Sequence, residues 1–192
     1  MDALVMCGGR GTRLGAGEKP LTSIGGRVLV DRVLTALAES QIDTTYATIS
    51  PHSPETARRL RADPGVTTIE TPGAGYVSDL KQALDALEPP VLTVVADLPL
   101  LSGALVDAIL DRHTERSLAV CVPIGRKRAL GVSVDETAIV AGEWLPSGLN
   151  VVERADTTQY KAIDSIRLAV NVNRPRDAMI GTRLLEVLGD GS

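Results

Sequence analysis

Apolar and polar positions along this chain alternate between two rhythms. Continuous apolar runs recur at Ala3 to Cys7, Val91 to Ala96 and Leu118 to Val122, as expected of strands buried on both faces of a parallel sheet. Between them the spacing lengthens to that of a helix. Val30, Val33, Leu34, Leu37 and Ala38 fall on one helical face, and Val77, Leu80, Leu84 and Leu87 mark a second amphipathic stripe. Further strands are predicted over Thr45 to Ile49, Val66 to Ile69 and Leu168 to Val170. Helices are predicted over Glu55 to Arg61 (with Ser53-Pro54 as N-cap and first position), after Ser102 through Leu105, Val106, Ile109 and Leu110, and from Pro175 to about Leu188. From about Arg126 to Ala162 the pattern breaks into short β-like pieces, Gly131 to Val134 and Ala138 to Val140. That segment reads as an irregular insertion or flap within one domain spanning 1–192.

Strands alternating with helices predict an α/β fold, a single-domain Rossmann-like three-layer sandwich with a mainly parallel sheet. Ligands in such sheets bind at the carboxyl ends of the strands.

Composition restricts the partners. Aromatics are 2% of the chain and Phe is absent, so no stacking platform for single-stranded nucleic acid is available. A net charge of -4 disfavours a general polyanion binder but allows a local basic cleft for one triphosphate. Cys7 and Cys121 lie in apolar runs, and no CxxC spacing occurs. They argue for a reducing cytoplasm rather than a disulfide or zinc scaffold. No apolar run approaches the roughly 20 residues of a spanning helix, so no membrane partner is expected.

The chemical signals gather at strand ends. After the first strand comes Cys7-Gly8-Gly9-Arg10-Gly11-Thr12-Arg13-Leu14-Gly15, then Glu18-Lys19-Pro20-Leu21. Glycines let successive amides face phosphate oxygens. Arg13, a forked cation, and Lys19, a compact one, can neutralise a triphosphate and a departing pyrophosphate. A tight loop with solvated charges is the alternative. No Gly-Lys-Ser/Thr closes the loop as in a Walker A motif. The dinucleotide fingerprint fits poorly, since position 14 is Leu and no acidic residue ends the second strand. Asp97 ends the most apolar strand, where a hard carboxylate suits Mg²⁺ shared with phosphate oxygens. It could instead cap the next helix, although Ser102 is better placed for that. Asn173 reads as the turn or N-cap residue before Pro175. His113 reads as a solvated residue among charges, and His52 carries little weight.

The run GGRGTRLG followed by EKPL resembles the signature of the nucleotidyltransferase superfamily, which includes sugar-nucleotide pyrophosphorylases and the molybdenum-cofactor guanylyltransferase. The resemblance implies that Cys7, Gly8, Gly9, Gly11, Thr12, Arg13 and Lys19 hold a triphosphate. It also implies that Asp97 binds Mg²⁺, with Asn171 as a second ligand. Ser50 and Pro51, and Thr71, Gly73, Gly75 and Tyr76, would border the nucleoside, or else form ordinary strand-to-helix turns.

Over nearly the whole chain, through TPGAGYVSDL and the late PSGLNVV run, the sequence is similar to the archaeal adenosylcobinamide-phosphate guanylyltransferases. That similarity implies GTP and adenosylcobinamide phosphate as substrates, with Arg13, Lys19 and Asp97 catalytic. An acceptor phosphate is already ionised near neutral pH and needs no strong base, consistent with only two histidines. Asn150 is an acceptor-side candidate, with a plain turn residue as the alternative. Many relatives carry Ala where Cys7 stands. A guanylyltransferase for molybdopterin or phospholactate, a cytidylyl- or uridylyltransferase, and a non-catalytic GTP-binding regulator all stay open, as does a homodimer.

Overall fold

The structure, a computed structural model, describes residues 1–8, 17–154 and 157–189. The chain opens with β1 (Asp2–Met6), passes through a 3₁₀ turn at Lys19–Leu21 and a small hairpin of β2 (Ser23–Ile24) and β3 (Arg27–Val28), and enters α1 (Leu29–Ala38). β4 (Thr45–Ile49), α2 (Pro54–Arg61), β5 (Val66–Glu70), α3 (Tyr76–Leu84), β6 (Val91–Val95) and α4 (Gly103–Leu110) follow in strict alternation. The remainder comprises β7 (Ser117–Pro123), α5 (Ile124–Leu130), β8 (Trp144–Val152), β9 (Thr158–Ala162), the one-turn α6 (Ile166–Ala169) and α7 (Pro175–Leu188).

Seven strands form one sheet in the order β5-β4-β1-β6-β8-β7-β9. β1 pairs in parallel with β4 on one side and β6 on the other, and β4 pairs in parallel with β5. β8 runs antiparallel to both β6 and β7, while β9 returns parallel to β7. The sheet is therefore mostly parallel, flanked by helices, as the apolar runs predict. From β1 the strand order departs in both directions, which opens a crevice at the carboxyl ends of β1 and β6.

Burial explains why these segments form these elements. Ala3, Leu4, Val5, Leu92 and Val94 are fully buried, as are Val30, Val33 and Leu37 on the inner stripe of α1. A second cluster, with Ile24, Leu29, Leu100, Val170 and Leu185, seats α7 against β2 and the start of α1.

Three expectations are corrected. The segment from 126 to 162 is not a flap over its whole length, because β8 lies inside the sheet between β6 and β7. Pro146, Ser147 and Gly148 interrupt its alternation and conceal the strand. Gly131 to Val134 is no strand either: Gly131, at φ +72, ends α5 in a left-handed C-cap, and Ala138 lies in a 3₁₀ turn. Leu168 to Val170 is likewise helical through Ala169, then extended. All three side chains are fully buried, and a short apolar run cannot distinguish a buried turn of helix from a strand. Smaller differences concern Val77, which is 78% exposed, and His113, whose Nε2 lies 3.2 Å from Glu153 Oε1 in a largely covered position.

Candidate active site

Asp97 follows β6 and is the centre of the arrangement. One carboxylate oxygen, Oδ2, takes the ammonium of Lys19, and the other accepts from Asn171 Nδ2 at 2.9 Å. Lys19 Nζ also donates to Asn173 Oδ1 at 2.7 Å. Oxygens from the β6 end and from the turn before α7 thus converge on a single cation. Backbone pairing fixes the same junction, since the Val172 N–H donates to the Asp97 carbonyl at 3.0 Å.

Lys19 is aimed by the strap that carries it. The Glu18 carboxylate accepts from the Glu55 and Thr56 N–H groups, at 2.8 and 2.6 Å, at the start of α2. Pro20 is buried behind it. Glu18 thereby satisfies helix-terminal donors that Ser53, the N-cap residue, leaves unmet by its own side chain. Burial raises the Glu18 pKa, but the Thr56 and Glu55 hydrogen bonds and the Arg58 charge outweigh it and hold the carboxyl below its ordinary value.

On the other flank, Lys127 of α5 is 5% exposed and was not singled out in the sequence. Its ammonium donates to the Ala169 carbonyl at 2.9 Å and to Asn171 Oδ1 at 2.8 Å. Burial lowers its pKa, against the opposing pull of the Asp97 and Asp177 charges. Asn171 also donates to the Ser147 carbonyl at 2.9 Å, so its amide oxygen is turned toward Lys127 and its nitrogen toward Asp97. Asn173 does not cap α7. Arg174 is the N-cap residue, and the N–H groups of Asn173 and Arg174 both donate to the fully buried Asp177.

Two cavities meet at Asp97. One, of about 340 Å³, is bordered by Cys7, Gly8, Lys19, Gly73, Gly75 and Asp79, among others. A second, of about 320 Å³, is bordered by Lys127, Ser133, Asn150, Asn171 and Asn173. Tyr76, Val95 and Asp97 border both.

The structure therefore brings Cys7, Gly8, Lys19, Gly73, Gly75, Tyr76 and Asp97 together around the first cavity, and Asn150 and Asn171 around the second. Ser50 and Thr71 stand behind the first rather than lining it. Ser50 Oγ donates to the Gly8 carbonyl at 3.3 Å, and Thr71 N–H donates to the Ile49 carbonyl at 2.9 Å. Pro51 is exposed. Gly9, Gly11, Thr12 and Arg13 lie outside the described residues. Lys127 and the buried Asp79 are among the site-bordering charges that sequence reasoning missed. Their signal was a charged residue on the inward side of a helix, which becomes visible only once the helix register is fixed.

The fold accords with the comparisons. The sequence pattern of the MobA-like NTP transferase domain matches residues 3–173. The chain belongs to that family. This family member is a nucleotidyltransferase, and it is 32% identical over 197 residues to the adenosylcobinamide-phosphate guanylyltransferase of Methanocaldococcus jannaschii, a match covering 97% of this chain and 98% of that protein. Among solved structures, a CMP:2-keto-3-deoxy-manno-octonic acid synthetase complexed with CTP superposes with a TM-score of 0.67 at 14% identity, covering 98% of this chain and all of the other. A 4-diphosphocytidyl-2C-methyl-D-erythritol synthase gives 0.67 at 15% identity, over 95% and 97% of the two chains. Those structural likenesses show the fold of the nucleotidyltransferase. No helix among its described residues is long and apolar enough to cross a membrane.

Proposed function

We propose that the protein transfers GMP from GTP to adenosylcobinamide phosphate, giving adenosylcobinamide-GDP and pyrophosphate. The meeting of two separate cavities at Asp97 carries the two-substrate part of this reading. The nearly full-length similarity to the Methanocaldococcus jannaschii guanylyltransferase supports the choice of donor and acceptor. An acceptor phosphate oxygen attacks the α-phosphorus as the bridging bond to the β-phosphate breaks, and pyrophosphate leaves. Placing the two reactants in line supplies much of the rate enhancement. Lys19, and Arg13 by resemblance, would neutralise the leaving pyrophosphate. Lys127 and Asn150 would border the acceptor.

The donor set fits a divalent cation such as Mg²⁺, because Asp97 Oδ2 and Asn173 Oδ1 already share one positive centre, the Lys19 ammonium. Asn171 would join them only by turning its amide oxygen away from Lys127. When bound, the ion would offset phosphate charge.

Titration calorimetry of GTP, ATP, CTP and UTP with Mg²⁺, followed by pyrophosphate release with adenosylcobinamide phosphate, tests the reading. Selective GTP binding and acceptor-dependent release are expected. In Asp97→Ala that release should drop by about 100-fold or more, the scale of losing a group that stabilises transition-state charge. Selective CTP or UTP binding would overturn the guanylyl assignment.

A further inference from the structure

Asp79 lies on the inward side of α3, within the TPGAGYVSDL run, and is 3% exposed. Among the described residues its carboxylate has one hydrogen-bond donor, the Ala74 N–H, 3.2 Å from Oδ1. The other oxygen faces Gly8. A Cβ at that glycine would stand 3.6 Å from Asp79 Oδ2 and 3.6 Å from Ser50 Cβ. The same carboxylate borders the cavity lined by Cys7, Gly8 and Lys19. A buried carboxylate with so few donors is costly to maintain, and a ligand entering that cavity can bring the missing ones.

Base chemistry identifies which ligand. A carboxylate only accepts hydrogen bonds. Guanine offers two adjacent donors, N1–H and the 2-amino group, spaced to match two carboxylate oxygens. Adenine and cytosine set a ring-nitrogen acceptor beside their amino group, and uracil flanks N3–H with two carbonyls. Each of those edges turns an acceptor toward the carboxylate.

We infer that Asp79 determines base specificity at the donor site by accepting from N1–H and the 2-amino group of guanine. This inference rests on the nucleotidyl-transfer reading above. A brace for the Ala74 turn alone would affect every triphosphate equally, whereas a base reader affects guanine selectively.

The test compares binding of GTP, ITP (which lacks the 2-amino group) and XTP (which replaces it with a carbonyl) to the wild type and to Asp79→Asn, with thermal melting of both. The wild type is expected to bind GTP at least about tenfold more tightly than ITP, the scale of one hydrogen bond to a charged group. In Asp79→Asn that ratio should collapse toward one and preference should shift toward XTP, a gain that misfolded protein cannot produce. A wild-type GTP-to-ITP ratio near one, or an unchanged ratio in the variant, would overturn the inference. Should the variant fail to fold, a wild-type ratio near one still overturns the inference. Wild-type protein that binds none of these triphosphates would instead sink the nucleotidyl-transfer reading itself.

Discussion

At the scale of single residues, position decides which charged or reactive groups can act. Cys7 stands beside the glycine loop, where a thiolate would meet incoming phosphates. Its side chain is 2% exposed and its N–H donates to Thr48 Oγ1 at 3.0 Å. Burial pushes its pKa up to about 12, so the native thiol stays protonated well above the pH at which a free cysteine ionises. The unfolded chain gives up that proton first, so Cys7 lowers stability only as the pH climbs past the ordinary thiol range. A thiolate-selective alkylating reagent in mild alkali should therefore leave native Cys7 unmodified and label it once denaturant unfolds the chain. Peptide mapping of the two samples checks this, and labelling of the native protein would refute it. The same scale shows what the sequence could not reveal. Lys19 and Asp97, which the structure places together at the first cavity, were legible as candidates because one follows a glycine loop and the other a strand end. Asp79 and Lys127 were not, because a charge inside a helical pattern reads as solvated until packing shows which side faces inward.

At the scale of elements, helices with an apolar stripe and most strands with continuous apolar runs were legible to within about three residues. β8 was hidden by Pro146 and Gly148, and α6 by its brevity. The least legible feature was a cap supplied from a distance. Ser53 occupies the N-cap position of α2, yet the donors of the first turn reach Glu18, in the strap that aims Lys19. Glu18 thus links the stability of α2 to the position of the Lys19 ammonium at Asp97. Glu18→Gln should lower stability by about 1 kcal/mol at neutral pH, the usual scale of a lost cap, and should weaken triphosphate binding through Lys19. The Thr56 and Glu55 hydrogen bonds hold the folded-state Glu18 carboxyl below its ordinary value, so the unfolded chain protonates first on acidification. The stabilisation is full above the ordinary glutamate range and disappears as the pH falls through the lowered folded value. Urea unfolding of both proteins across that range should show curves that differ at neutral pH and converge in acid. A constant difference would exclude the carboxylate as its source.

At the scale of the whole molecule, one antiparallel strand, β8, joins the β5-β4-β1-β6 part of the sheet to the β7-β9 part. β8 pairs with β6 as far as Val94 and Leu149, and its register against β7 shifts between Ala119 and Cys121. Just beyond the β6 pairing, Gly148 adopts φ +87, and a Cβ there would lie 2.4 Å from Val95 Cγ2. Val95 leads through Ala96 to Asp97, and the neighbouring Ser147 carbonyl holds Asn171. Gly148 is therefore the close approach that lets the strand carrying Asn150 lie against the strand ending at Asp97. Gly148→Ala combines a left-handed backbone that disfavours any side chain with overpacking against Val95, and should cost about 2–4 kcal/mol of unfolding free energy. Relief of the clash must move either β8 or Val95. Both Gly148 and Val95 border the second cavity, whereas Gly148 does not border the first. Acceptor-dependent pyrophosphate release should thus fall by a larger factor than GTP affinity. Urea unfolding, calorimetry and steady-state rates on the one variant separate these effects. A stability change below about 0.5 kcal/mol, the range of an unremarkable surface substitution, would show that the two strands can part at this point without loss, and that the junction at Asp97 does not depend on their contact.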